Sequence, residues 1–257
     1  MAVLYLRAGQ LDERAAGSEQ DGGAVVGGEG ERREPIGAAL RASSVAFLVD
    51  AAQSAGELPI DMRQLGIDLL ATSGHKGLLG PAGCGLLLVS EKVAEHLEPW
   101  KCGGTGTHSE SLQMPRELPH RLEAGTPPLP AFAGLAAAMQ QSESRSASLA
   151  ARAELTRRLW AGLQRIEGIR RVGPTDPQRH HGPTSIVITG WDPHDAAAVL
   201  DATFDIRVRA GRHCAASIHE HLGTTGSGGT LRIAPGHTTT ADEIDRCLQA
   251  LAELTSF

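Results

Sequence analysis

Residues 67–76 read Ile-Asp-Leu-Leu-Ala-Thr-Ser-Gly-His-Lys, an apolar run that ends in a hydroxyl, an imidazole and an amine. A second apolar run, Val-Ala-Phe-Leu-Val-Asp-Ala-Ala-Gln at residues 45–53, ends in an acid and an amide. Each run is typical of a buried strand in a parallel sheet. Open α/β sheets bind ligands at the carboxyl ends of their strands, so we expect the polar residues of both runs to share one site.

The polar residues at these strand ends suit the chemistry of an aldehyde cofactor. Such a cofactor needs an amine to bond with, donors for its phosphate and a carboxylate for its pyridinium nitrogen. Lys76 supplies the amine, and Ser73 and His75 supply the donors. Asp50 supplies the carboxylate, and Gln53 adds an amide. A lone lysine in a turn is usually a solvated charge, so the prediction depends on the whole group.

Five blocks of sequence resemble, in the same order, the class V aminotransferase group of pyridoxal-phosphate enzymes, and within it the cysteine desulfurase and selenocysteine lyase branch. The resemblance runs from about Pro35 to the C-terminus, whereas residues 1–34 match no part of the family pattern. The blocks are Asp50–Gly56, Ser73–Gly77, Gly103–Gly106, Arg121–Pro127 and Arg209–Ala215. The resemblance implies conversion of L-cysteine, or a related amino acid, to L-alanine. The sulfur would pass to an enzyme cysteine as a persulfide and then to a sulfur-acceptor protein.

The same resemblance implies a role for each residue of the cofactor site. Lys76 would bond to pyridoxal 5'-phosphate and move the Cα proton of the substrate, and Ser73 and His75 would hold the phosphate. Asp50 would pair with the pyridine nitrogen, and Gln53 would donate to the phenolic oxygen. Thr105 resembles a threonine that reaches a phosphate across a homodimer interface; a turn that binds no ligand is the alternative for this residue.

Cys214 distinguishes the desulfurase branch from ordinary aminotransferases. A single cysteine is more often a small buried hydrophobe than a nucleophile. Cys214, however, follows Arg209, Arg212 and His213, a basic neighbourhood that favours the thiolate. In desulfurases the matching cysteine takes up the sulfur of the substrate. Arg232 matches the arginine that binds the substrate α-carboxylate, a task that suits guanidinium, and Arg209 would lie at the same end of the site.

Composition excludes several classes of function. The chain has 257 residues, of which 41% are hydrophobic and 21% are charged, as in an ordinary globular protein. A net charge of −6 argues against nucleic acid as the main partner. Four cysteines without a C-x-x-C pair favour a reducing, cytoplasmic setting. No apolar run approaches the ~20 residues of a membrane helix, so we expect no membrane contact.

Eleven histidines raise the question of a metal site. His180 and His181 are adjacent, which places them badly for one ion. His213 and Cys214 could join His219 and His221 in a soft site. No second cysteine lies at zinc spacing, so we expect no metal.

The fold class that we predict is α/β, with the remainder of a pyridoxal-phosphate transferase large domain followed by a smaller α+β domain. Residues 35–130 would form the partial large domain with a mostly parallel sheet. Residues 131–165 would form a linking helical region, and residues 166–257 the small domain. Residues 1–34 are expected to form a flexible arm, because residues 7–34 are polar and rich in glycine and glutamate.

Hydrophobic patterning predicts the individual elements. A short helix is expected at 35–40, and a long helical region from residue 130 should break near 142–148 and resume at 149–166. The last helix should open with a capping box of Thr240 and Glu243. Another helix is expected at 193–202, and strands are expected at 45–49, 67–72, 85–89, 184–189, 206–208 and 230–234.

Family members carry a first half of the large domain before the strand that ends at Asp50. That half supplies a phosphate-binding turn, a residue stacked on the cofactor ring and much of the sheet. Residues 1–44 offer no counterpart, so we expect a truncated chain, or one that needs a partner chain, with little activity as given. Two further hypotheses stay open beside the desulfurase: a non-catalytic fragment of the family, and a class V aminotransferase or selenocysteine lyase.

Overall fold

The protein is described from a computed structural model that covers residues 3–7, 33–41, 43–106, 110–174, 182–213 and 215–256, without the side chains of 3–7, 33–35, 142–147 and 216. The chain divides into two compact units, Met1–Ser142 and Glu143–Phe257. Each unit is built around its own four-stranded sheet. The predicted α/β class is confirmed. The finer boundaries at residues 34, 130 and 165 stay predictions.

The first unit contains a mixed sheet with the strand order β1-β2-β3-β4. The first three strands are parallel to one another, and β4 is antiparallel to β3. The strands are β1 (Val3–Arg7), β2 (Ala46–Asp50), β3 (Leu69–Ser73) and β4 (Gly85–Val89). The helices of this unit are α1 (Arg33–Leu40), α2 (Met62–Leu65), α3 (Glu91–Ala94) and α4 (Leu129–Gln140).

Strand β2 lies at the centre of the first core. Phe47 and Val49 are almost fully buried and pack with Leu65, Ile67 and Leu70. On the opposite face of β2, Ala46 is almost fully buried and Leu48 is partly buried, in a cluster with Leu69 and Val93. Strand β2 is therefore buried on both faces, as its continuous apolar run predicted. Strand β4 differs, because its Leu87 and Leu88 are 48% and 44% exposed.

The prediction of a flexible arm is wrong for Val3–Arg7. These residues form β1, which pairs in parallel with the whole of β2 from Val3↔Ala46 to Arg7↔Asp50. The pairing satisfies backbone groups of β2 that would otherwise lie at an open sheet edge. The rest of the predicted arm up to residue 32 lies outside the described residues and stays a prediction.

The second unit contains an antiparallel sheet with the strand order β5-β6-β8-β7. Leu159 and Leu163 pack onto one face of this sheet with Leu251 and Leu254, all nearly fully buried. The strands are β5 (Ile169–Val172), β6 (Thr184–Ile188), β7 (Arg209–Gly211) and β8 (Thr230–Ile233). The helices are α5 (Ser142–Leu163), α6 (Pro193–Phe204), α7 (Ala216–His221) and α8 (Ala241–Leu254).

Helix α8 confirms the predicted capping box. The Thr240 hydroxyl accepts from the backbone N–H of Glu243, and the Glu243 carboxylate accepts from the backbone N–H of Thr240 at 2.8 Å. Two donors of the first turn are thereby satisfied. The helix then turns its apolar face, with Ile244 and Cys247, into the core.

Two boundaries in the second half of the chain were predicted wrongly. The strand expected at 206–208 begins instead at Arg209, because the hydrogen-bonded partners on β8 are Thr230, Leu231 and Arg232. The break expected over 142–148 is confined to Gln141, because α5 is helical from Ser142 onward. Within the described ranges, no helix is long and apolar enough to cross a membrane.

Candidate functional site

The two strand ends that the sequence singled out lie side by side in the first sheet. Strands β2 and β3 are parallel neighbours, and Asp50 at the end of β2 is in register with Ala71. Ser73 is the last residue of β3. The structure therefore places Asp50 and Ser73 at the same edge of the sheet, as predicted.

Hydrogen bonds join the loops that follow these two strands. The backbone N–H of Ala51 donates to the carbonyl of Ala71 at 2.7 Å, and the Thr72 hydroxyl donates to the carbonyl of Ala51 at 3.3 Å. The Ser73 hydroxyl lies 3.5 Å from the carbonyl oxygen of Ala52. The Asp50 carboxylate accepts from the backbone N–H of Ala52 at 2.9 Å, which holds the start of its loop.

The same two loops touch again through a pair of glycines. Gly56 has a φ of +81°, and a Cβ on it would overlap the carbonyl group of Gly77. A Cβ on Gly77 would in turn overlap the carbonyl oxygen of Ala55. Because only glycine allows backbones to approach this closely, the contact fixes the position of the residue before Gly77, which is Lys76.

Lys76 lies in a turn that is anchored on both sides. Its carbonyl oxygen accepts from the N–H of Leu79 at 2.8 Å. Gly74 donates to the carbonyl of Cys84 at 2.9 Å and accepts from the N–H of Gly80 at 2.8 Å. The Lys76 side chain is half-buried. Its backbone is thus held in place while the amine keeps access to solvent.

The donor set at this edge fits pyridoxal phosphate. An amine, a carboxylate and a hydroxyl lie on two loops that contact each other, and the exposed side chains of Gln53 and His75 stand on the same loops. Ser54 adds an observation that the sequence did not supply. Its side chain is 5% exposed, and its hydroxyl oxygen has no hydrogen-bond partner among the described residues. Such an orphaned buried group is typical of functional sites.

Thr105 lies outside these two loops. It is half-buried, and its neighbour Gly104 accepts from the N–H of Gly125 at 2.7 Å. This bond joins two of the sequence blocks that carry the family resemblance. The role of Thr105 in phosphate binding stays a prediction.

In the second unit, the two arginines predicted to bind substrate lie directly opposite each other on neighbouring strands. Arg209 on β7 is in register with Arg232 on β8, so both side chains leave the same face. Arg209 is exposed and Arg232 is half-buried. Two guanidinium groups on one face of a sheet suit the binding of a carboxylate.

His213 belongs to the same region as the two arginines. Burial lowers the pKa of His213, and the positive charges of Arg232 and Arg209 lower that pKa further. Its Nε2 lies 3.0 Å from both the carbonyl oxygen and the hydroxyl oxygen of Thr230. Cys214, the next residue and the predicted sulfur acceptor, lies outside the described residues.

A buried pair of polar side chains, His219 and Thr224, lies near His213, and the sequence analysis did not assign this pair to a site. His219 and Thr224 are 3% and 0% exposed, and the Nδ1 of His219 lies 2.7 Å from the Thr224 hydroxyl. The rings of His213 and His219 lie 6.1 Å apart. His219 was considered only as a metal ligand, and within the described ranges no group of three metal-binding side chains is present. His180 and His181 lie outside those ranges.

A sequence profile of the family described as Aminotransferase class-V matches residues 24–247. The chain belongs to this family. The match begins before Pro35, so the predicted lack of any family pattern in residues 1–34 is wrong from residue 24 onward. The resemblance deduced from the five blocks is otherwise confirmed.

Two similar relatives of the chain are cysteine desulfurases by name. A probable cysteine desulfurase of Methanothermobacter thermautotrophicus is 38% identical over 213 residues, which are 81% of this chain and 52% of that protein. Cysteine desulfurase CsdA of Escherichia coli is 34% identical over 219 residues, with shares of 81% and 51%. The chain thus spans about half the length of these relatives.

Solved structures give the same result. The structure of a cysteine desulfurase from Thermococcus onnurineus superimposes with a TM-score of 0.78 at 33% identity, over 88% of this chain and 56% of that one. Cysteine desulfurase CsdA of Escherichia coli superimposes with a TM-score of 0.76 at 26% identity, over 98% and 59%. These similarities cover residues of both units.

Proposed function

We propose that this chain carries the cofactor-bonding and sulfur-accepting residues of a pyridoxal-phosphate-dependent cysteine desulfurase. The observation that carries the proposal is the contact between the loop after Asp50 and the loop that holds Lys76. It brings an amine and a carboxylate to one edge of a sheet, the pair that this cofactor requires. The desulfurases among its relatives support L-cysteine as the substrate and L-alanine as the product.

Each residue of the first unit has a role in this proposal. When bound, pyridoxal phosphate supplies a ring that accepts electrons from the substrate Cα. The Nζ of Lys76 would hold the cofactor aldehyde and would move the Cα proton. The Asp50 carboxylate would pair with the pyridine nitrogen, and the Gln53 amide would donate to the phenolic oxygen. Ser73 and His75 would hold the phosphate, together with Thr105 from a second copy of the chain.

The second unit supplies the residues that bind the substrate and accept its sulfur. The guanidinium of Arg232 forms two hydrogen bonds with the substrate α-carboxylate, and Arg209 adds charge from the neighbouring strand. The Cys214 thiolate would attack the substrate sulfur, so that a bond between the two sulfurs forms and the bond from Cβ to sulfur breaks. The electron pair of the broken bond would stay on the substrate carbon, which would take up a proton to give alanine. Cys214 would then hold a persulfide and pass its outer sulfur to a sulfur-acceptor protein. The active protein would be a cytoplasmic homodimer.

The test is to assay alanine and sulfide formation from L-cysteine by the chain joined to the first half of a relative's large domain, with pyridoxal phosphate and a thiol reductant. Cys214→Ser should retain the cofactor but form no sulfide, whereas the control Cys102→Ser, at an exposed cysteine, should behave as the parent chain. Arg232→Ala should raise KM, because the carboxylate loses a charge-assisted partner of roughly 1.5–3 kcal/mol. If this extended parent chain binds the cofactor on Lys76 and forms alanine from neither cysteine nor selenocysteine, the proposal is wrong.

A further inference from the structure

The carboxylate of Glu57 lies against the turn that carries Lys76. Its Oε1 lies 3.1 Å, and its Cγ 3.0 Å, from the position that a Cβ on Gly77 would take. Gly77 follows Lys76 directly in the chain. Glu57 is half-buried, although glutamate side chains are mostly exposed in folded proteins. A partly desolvated carboxylate is expected to accept hydrogen bonds from its surroundings, and none of the roles proposed above involves Glu57.

Hydrogen bonds within its own loop hold the backbone of Glu57. The N–H of Glu57 donates to the carbonyl of Ser54 at 3.0 Å, and the N–H of Leu58 donates to the same carbonyl at 2.9 Å. Between these two donors and Ser54, Gly56 makes its close approach to the carbonyl group of Gly77. The carboxylate of Glu57 therefore meets the turn from a fixed position.

The backbone of the turn, rather than the Lys76 amine, is the partner that suits this carboxylate. Among the described residues, no carboxylate forms an ion pair with Lys76. The N–H groups of Leu79 and Gly80 already donate to carbonyls within the turn. Those of residues 76–78 take no part in these two bonds. A carboxylate is a strong acceptor for backbone donors of this kind.

We propose that Glu57 is a positioning residue for Lys76. Its carboxylate accepts a hydrogen bond from a backbone N–H of residues 76–78 and so fixes the orientation of the peptide groups beside Lys76. The direction in which the Lys76 side chain leaves the turn is thereby fixed, while its amine stays available to an aldehyde. Holding a reacting group in one direction lowers the entropy lost when the two groups meet. The inference rests on the proposed cofactor-bonding role of Lys76.

The first test measures amide hydrogen exchange in the chain by NMR, without cofactor. In Glu57→Ala, at least one amide of residues 76–78 should exchange about tenfold faster than in the parent chain, because its acceptor is lost. The amides of β3 should keep their parent rates, which a general loss of stability would not allow. Glu57→Gln retains an acceptor oxygen and should restore most of the protection.

Two results of this test would overturn the proposal. One is unchanged exchange at residues 76–78 in Glu57→Ala. The other is an equal acceleration of exchange throughout β3, because that result would assign Glu57 a role in overall stability alone.

The second test follows the bonding of pyridoxal phosphate to Lys76 by absorbance, with borohydride reduction and peptide mapping to identify the lysine. Glu57→Ala should slow this bonding about tenfold, and Glu57→Gln should restore most of the rate. Glu95→Ala removes an exposed carboxylate of the same unit and should bond the cofactor at the parent rate. If Glu57→Ala matches the parent rate, or if Glu57→Gln is as slow as Glu57→Ala, the proposal is wrong.

Failure of the proposed function gives a different result from failure of this inference. A parent chain that bonds no cofactor on Lys76 would refute the cofactor role. The exchange test uses neither cofactor nor substrate, so it would still decide whether Glu57 holds the turn.

Discussion

Replacing Gly56 by alanine should disrupt both the stability of the first unit and the cofactor site. The φ of +81° at this position disfavours a side chain by about 1–2 kcal/mol. The new Cβ would also overlap the backbone carbonyl of Gly77, and such overpacking adds typically 1–3 kcal/mol. We therefore expect the free energy of unfolding to fall by roughly 2–5 kcal/mol. Lys76 would be displaced with Gly77, so its bonding to the cofactor should fall as well.

Gly83→Ala is the matched control for this substitution. Gly83 has a φ of +94°, but no atom lies within 4 Å of the position that its Cβ would take. The Gly83→Ala variant should therefore lose only about 1–2 kcal/mol of unfolding free energy, the cost of a side chain at positive φ, and should still bind the cofactor. Urea unfolding gives the stabilities, and absorbance on addition of pyridoxal phosphate gives the binding. Equal unfolding midpoints and equal cofactor binding for the two variants would refute the contact between the loops.

Substitutions at Asp68, Thr240 and Cys247 test separate parts of the fold, and Lys92→Ala serves as the control for the first. Asp68→Ala should destabilise the protein by about 1–3 kcal/mol, because the buried N–H of Phe47 loses its acceptor at 2.9 Å. Lys92→Ala removes only the half-exposed ion-pair partner of Asp68, so it should change stability by less than about 1 kcal/mol. Urea unfolding measures both changes. Thr240→Ala should lower stability by about 1 kcal/mol in the same assay, through loss of the capping box. Burial raises the pKa of Cys247 from 9.0 to about 11, so the stability that this thiol contributes should be complete below pH 9 and lost as the pH rises toward 11. Cys247→Ala should flatten that part of the pH profile, and an unchanged slope would contradict the assignment.

The strands that carry the site could be predicted because their signal is local. Each apolar run is continuous and ends in polar residues, and the structure places β2 and β3 at those runs. Strand β1 was not predicted, because Val3–Arg7 is a short apolar run whose pairing with β2, about forty residues later in the chain, is not visible in the local sequence. The start of β7 was missed for the same reason, because the partners on β8 determine which residues pair.

The residue types of the site were predictable, whereas the contacts that fix them were not. Lys76, Asp50 and Ser73 were identified from the chemistry at two strand ends. The close approach of Gly56 and Gly77 depends on how two loops meet in space, which no local pattern reports. The bond from His213 to Thr230 likewise joins a turn to a strand that follows later in the chain. The sequence block at residues 209–214 identified His213, but it does not indicate which ring nitrogen forms the hydrogen bond.

The most direct test of the account is to map the lysine that bonds to the cofactor. The sequence contains three lysines, Lys76, Lys92 and Lys101, so the assignment by peptide mass spectrometry is unambiguous. The chain is incubated with pyridoxal phosphate, reduced with borohydride and digested, with Lys76→Arg as the control. We predict the reduced cofactor on Lys76 in the parent chain and its loss in the variant. Cofactor on Lys92 or Lys101 with Lys76 unmodified would contradict the central claim.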